Sequence, residues 1–390
     1  MHSALLAATT ADYTVPQVWR ILTKTGYFIG LSGTIGATVT YATTVRPALR
    51  AAEADPEDTA ILRRRSAIHL AWAGVVLLVA GYFQLAARVA RSGKGMPFGD
   101  ALAPGEIWSY LRAPAAKGAW IAQGTVYLVQ NVVLVATAAL LIALFAPAAR
   151  RRTDAVALAA LPLSLAVTLI AAVPATKPAD LDRWLDLALD QTHIVAGTVW
   201  LGGLALLVVL AGTRNRLGNG AGLLWADMWR RFSLVAMTCV AAITVSGLWL
   251  SWKHVGAVSQ LWTTGYGIAL LVKVLLVAGL VTAGAFNQFW LMPRITRARR
   301  TDDTASLLHL TLRHFPKVVW GEVALGAAVL VVLPFLSGSA RTEAGSPKAV
   351  SDGTVFAGGA ALVIALAVSL YATAKASEAL SRRLPAPEAS

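Results

Sequence analysis

Charged residues are scarce in this chain. Asp, Glu, Lys and Arg make up 14% of its 390 residues, against roughly 25% in soluble domains. With 57% hydrophobic residues, that deficit excludes an ordinary water-soluble fold. Cysteine is almost absent, and Cys239 is the single one. No intrachain disulfide, Cys-x-x-Cys metal motif or c-type haem attachment can therefore form. Cys239 stands inside an apolar run and reads as a small buried hydrophobe. The five methionines leave few thioether donors for soft metal ions. No Ser/His/Asp or His-Glu-x-x-His arrangement is present, and no glycine-rich phosphate loop precedes a helix. The chain is expected not to be an enzyme and not to use ATP directly. Long polar connections are missing too, so no large soluble domain is expected. The first residues, MHSALLAATTADYT, lack a basic start and a long apolar stretch, and do not read as a cleavable signal.

What is present is a series of apolar runs of about 20 residues, the length that crosses a hydrocarbon core of roughly 30 Å. The fold class expected is all-α: a polytopic transmembrane helical bundle of about nine spans. They fall at residues 26–45, 67–89, 119–145, 155–173, 190–211, 232–252, 263–286, 315–336 and 354–374. Three regions follow: a four-helix part at 1–175, a four-helix core at 176–340, and a peripheral helix with a tail at 341–390. The net charge of +14 would suggest nucleic acid in a soluble protein. Here it reflects topology, and no nucleic-acid partner is expected. Arginines gather after alternate spans: Arg46, Arg50, Arg63, Arg64 and Arg65; Arg150, Arg151 and Arg152; Arg214, Arg216, Arg230 and Arg231; Arg294, Arg297, Arg299, Arg300 and Arg313; Arg382 and Arg383. The positive-inside rule puts these loops and the C-terminus in the cytoplasm and the N-terminus outside. Arg20 and Lys24 oppose that orientation and are outweighed.

The first span carries Gly26, Gly30, Gly33 and Gly36, a spacing that lets helices approach closely. A short surface helix is expected near residues 106–110, in the longest outward loop. The last span has no internal charge before Lys375 and is expected at the edge of the bundle.

The fifth span holds the densest chemistry. Before it runs PADLDRWLDLALDQTH, in which Asp182, Asp186 and Asp190 stand four apart and His193 follows one turn later. On a helix these residues share a face. The segment predicts an amphipathic helix that continues straight into the membrane. Clustered carboxylates collect cations, so Asp182 and Asp186 are candidates for a cation-collecting mouth. The imidazole of His193 is a candidate ligand for Cu, Zn, Fe or Ni. Asp190 would join it, directly or by orienting the ring. The plainer alternative is a solvated acidic stripe with His193 bonded to a neighbouring helix. His254, at the far end of the sixth span, is a third candidate ligand at similar depth. His69 and His314 form an alternative inner pair, and His2 and His309 read as terminal or solvated. Lys273 and Glu322 fall inside the seventh and eighth spans. A lone charge there costs at least about 2.5–3.5 kcal/mol, so the two are expected to pair as an intramembrane ion pair. Glycines 197, 202 and 203 and Trp200 leave room beside His193 for another backbone or a porphyrin plane. Haem b, held by histidines on neighbouring helices, is therefore an alternative cofactor.

The ordered set His193, Trp200-Leu201-Gly202-Gly203-Leu204, Arg231-Phe232-Ser233, Ser246-Gly247, Thr264-Gly265-Tyr266-Gly267, Lys273 and Glu322 resembles the CopD family, the copper-resistance protein D-like inner-membrane proteins. The resemblance covers roughly residues 178–336. It implies a multi-pass protein of the bacterial cytoplasmic membrane that handles copper ions, importing them from the outer face. A separate copper-binding protein of the CopC type is an implied partner besides the bilayer. An Asp–His donor set suits Cu(II). A non-transporting subunit of a membrane complex is a further alternative, and oligomeric state is left open.

Overall fold

The computed structural model describes residues 12–51, 55–92, 95–218, 221–300 and 315–383. Among them there is no strand. Eight helices are long and apolar enough to cross a membrane. The first expected span is a ninth helical run, which we label α1. It covers Val18–Leu31, Ala37–Thr40 and Arg46–Leu49, with π turns at Ser32–Gly36 and Tyr41–Val45. The eight that follow are α2 (Pro56–Ser92), α3 (Gln123–Phe145), α4 (Thr153–Ala171), α5 (Leu181–Ala211), α6 (Ala221–His254), α7 (Gly265–Ile295), α8 (Phe315–Val332) and α9 (Gly353–Arg383). The short surface helix is Pro104–Leu111, where it was expected.

α1 departs from a plain α-helix for local reasons. The hydroxyls of Thr34 and Thr38 donate back to the carbonyls of Gly30 and Thr34, at 3.0 and 2.7 Å. Such back-bonding bends helices. α1 lies against α5 along this stretch. A methyl group added at Gly36 would stand 2.5 Å from both Gly202 Cα and Thr198 O. Glycine is therefore required on both helices at the crossing.

α5 is the axis of the bundle. It packs against α1, α2, α4, α6 and α8, and 67% of its apolar window is buried, against none of α9's. The helix starts at Leu181 because the Asp180 carboxylate accepts the Arg183 N–H at 2.8 Å, a standard N-cap. It then runs unbroken through His193, so the acidic stripe and the membrane span are one helix. α6 begins eleven residues before the expected span. Its first turns carry Trp225 and Trp229, 0% and 1% exposed, and burying them keeps that segment helical.

Ion pairs fasten the end where the arginine-rich loops gather. Asp154, at the start of α4, accepts from Tyr41 at 2.7 Å and Arg50 at 2.8 Å, with Arg46 at 3.5 Å. Asp58 of α2 accepts the Gly218 N–H at 2.9 Å. We call this the Arg-rich end, and the opposite one, where α5 begins, the vestibule end.

Candidate functional site

The vestibule end is lined by the first turns of α5 and the last turns of α6. The carboxylates on α5 do not stand free. Lys253 of α6 pairs with Asp182 and lies 3.4 Å from Asp186. Trp249 Nε1 donates to Asp186 at 2.8 Å, and Ser351 donates to Asp182. The single ammonium of Lys253 offsets one of these two carboxylates, so the expected cation-collecting mouth keeps part of its negative charge. The offsetting cation comes from the facing helix. Asp190 is different. Its side chain is exposed, its one contact is Gln191 Nε2 at 3.5 Å, and it lies within electrostatic range of His254, Lys273 and Lys24.

One turn further in, His193 sits between α6 and α7. Its Nδ1 is 3.0 Å from Ser246 Oγ, and its Nε2 is 3.3 Å from Lys273 Nζ. The tautomer follows from the donors. Ser246 spends its single proton on the carbonyl of Ala242 at 2.6 Å, so its oxygen accepts from His193 Nδ1–H. The lone pair is then on Nε2, where Lys273 donates into it. Ser246 thus orients the ring, as outer partners of metal-binding imidazoles do. Lys273 occupies the atom that a metal ion would use.

The remaining candidates lie apart. His254 Nδ1 contacts the Leu250 carbonyl at 2.7 Å, and its ring stacks on Tyr266. It is eight positions beyond Ser246 on α6, about 12 Å of helix rise, so the structure does not bring it to His193. His69, on α2, has a buried Nε2 with no partner. His314, its expected companion, lies outside the described residues, as do His2 and His309. Lys273 and Glu322 do not pair. Lys273 turns to His193, while Glu322 accepts from Asn287 Nδ2 at 2.7 Å. Asn287, the partner of Glu322, stands fourteen positions beyond Lys273 on α7, about 21 Å of helix rise, so the two charges lie at different depths of the bundle. Among the described residues no three His, Cys, Asp or Glu side chains converge as a metal-binding group. A metal ion at His193 would have Asp190, three residues away on the same face, as its other protein donor.

Only part of the space that a porphyrin would need beside α5 is open: Gly202 meets Ser32 and Gly36 of α1, and Gly203 meets Thr40 of α1 and Phe232 of α6, while Gly197, one turn from His193, has nothing within 4 Å. Trp200 is 7% exposed and belongs to the apolar core. A cavity of about 1120 Å³ opens beside α4, α5 and α6, but no histidine lines it.

The residues that complete the site were not singled out beforehand. Ser246 appeared only within a motif, and Lys253 and Trp249 were not considered. A hydroxyl within an apolar run, at the depth of a histidine on the preceding helix, is the one local signal that could have pointed to Ser246.

A helical bundle of membrane-length spans, with histidine, lysine and carboxyl groups enclosed between them, defines a multi-pass membrane protein with a polar core. Residues 226–336 match the family model described as copper resistance protein D. The match takes in most of α6 and all of α7 and α8, with Ser246, His254, Lys273, Asn287 and Glu322, and begins after His193. The chain is 30% identical over 244 residues to the copper transport protein CutJ of Bacillus subtilis (strain 168). That alignment covers 62% of this chain and 40% of the relative, so the chain spans less than half of the relative's length. No solved structure matches the chain.

Proposed function

We propose that the chain carries copper ions across the bacterial cytoplasmic membrane, inward from the vestibule end, with that end outside and the Arg-rich end in the cytoplasm. The likeness to a named copper transport protein supports the cargo, and the gathering of arginines at one end supports the orientation. The observation that carries the mechanism is the oriented imidazole of His193 inside the bundle. With Nδ1–H fixed on Ser246, Nε2 is the donor atom, and a nitrogen donor suits copper. Asp190 meets the ion first and shares it with His193. Lys273 holds the donor atom while no ion is bound, and must swing away for copper to enter. A site that releases its cargo needs few protein donors, and His193 with Asp190 supplies two. On this reading the protein is a carrier rather than a catalyst, and a separate copper-binding protein delivers the ion to the vestibule.

Copper uptake by proteoliposomes tests the reading. The wild-type chain is expected to accumulate copper, and His193→Ala to fall at least tenfold, toward the rate of empty vesicles. Uptake by the variant at the wild-type rate removes His193 from the path. No uptake by the wild-type chain rejects the function.

A further inference from the structure

Glu322 is 3% exposed, and it lies in a helix of membrane length. An isolated carboxylate is strongly disfavoured there. Its hydrogen-bond partner is Asn287, itself 8% exposed, whose Nδ2 donates to Oε1 at 2.7 Å. The other end of that amide, Oδ1, is buried and has no donor. Acceptors therefore exceed donors. A carboxylate contributes two oxygens and the amide a third, with a single N–H···O bond among them. Asn287 also opens the π turn Asn287–Leu291 of α7, and such turns are frequent at functional positions.

The helices packed nearby bring no charge to balance Glu322 among the side chains described. On α7 the next charged residue is Arg294, which donates to the Trp290 carbonyl at 2.8 Å and stacks on its ring. Lys273 lies fourteen positions back, about 21 Å of rise. On α6, Arg230 and Arg231 both bind Asp227, and Ser233 donates to Gln288 Oε1. α5 has no titratable side chain between His193 and its end at Ala211. On α1, Lys24 donates to the Leu333 carbonyl at the other end of α8.

We propose that Glu322 and Asn287 form an intramembrane proton-binding site, in which Glu322 is carried as the neutral acid and exchanges its proton with water at the Arg-rich end. A proton supplies both things the cluster lacks. It converts one carboxyl oxygen from acceptor to donor, and it removes the uncompensated charge. The site stands apart from the copper reading, since it shares no side chain with His193 or Asp190.

Infrared spectroscopy of the full chain in lipid vesicles reads the proton directly. At neutral pH the wild-type protein is expected to show a protonated-carboxyl C=O band that is lost in Glu322→Gln. The same band should move in frequency in Asn287→Ala, where its hydrogen bond is gone, and should vanish reversibly at high pH. Should Glu322→Gln fail to assemble, Glu322→Asp keeps the group and should shift the band. Carboxyl bands unchanged by all these substitutions overturn the proposal. So does a band that appears only after Na⁺ is replaced by a bulky organic cation, because a metal cation would then be the occupant.

Discussion

α7 carries two polar clusters, and they are built in opposite ways. Near the vestibule end, Lys273, His193 and Ser246 form a chain of hydrogen bonds that ends on the Ala242 carbonyl. Near the Arg-rich end, Asn287 and Glu322 leave an acceptor unused. Under the proposed function, Lys273 must leave His193 in the first cluster before an ion can enter. The second is short of a positive charge as it stands. The difference teaches that a buried lysine and a buried glutamate in one bundle need not neutralise each other.

Several substitutions would break or sharpen that contrast. The largest effect is expected at Lys273. Its ammonium lies 3.3 Å from the atom assigned to copper, so Lys273→Met should free Nε2 and tighten copper binding by about tenfold, roughly 1.4 kcal/mol. Weaker binding in a competition titration would show that Lys273 helps to hold the ion rather than excluding it. A smaller effect is expected at the other cluster. Asn287→Leu removes the donor to Glu322 and should lower thermal stability by about 1 kcal/mol, with a buried acceptor left unmade. Unchanged stability would mean that Glu322 finds another donor. The smallest is expected at the vestibule. Lys253→Ala releases Asp182 and Asp186, and should speed copper uptake by roughly twofold at low salt, with the gain screened away at physiological ionic strength. Equal rates at both salt concentrations would show that the stripe has no part in steering.

The architecture was legible in the sequence because membrane spans are written locally, as unbroken apolar runs. The continuous helix through Asp182, Asp186, Asp190 and His193 was legible as well, since a spacing of four fixes a face. So was the peripheral place of α9, whose apolar run carries no charge to bury. What could not be read was the partner on the facing helix. Lys253 on α6 offsets part of the stripe on α5, and nothing near Asp182 in sequence announces it. The pairing expected of Lys273 with Glu322 failed for a related reason. Their depths depend on where each helix enters the membrane and which way it runs, and a few residues of error at each end moves them apart by about 10 Å. The split of α1 into π turns was hidden too, because it answers to the glycines of α5 as much as to its own threonines.

The central claim is that copper is held by the imidazole of His193. X-ray absorption spectroscopy of the copper-loaded chain in lipid tests it most directly. The wild-type spectrum should contain the outer-shell scattering of a coordinated imidazole ring, and His193→Ala should lose it while the tightly bound copper falls. Imidazole scattering of equal strength in the two proteins would place the ion on another histidine and contradict the account.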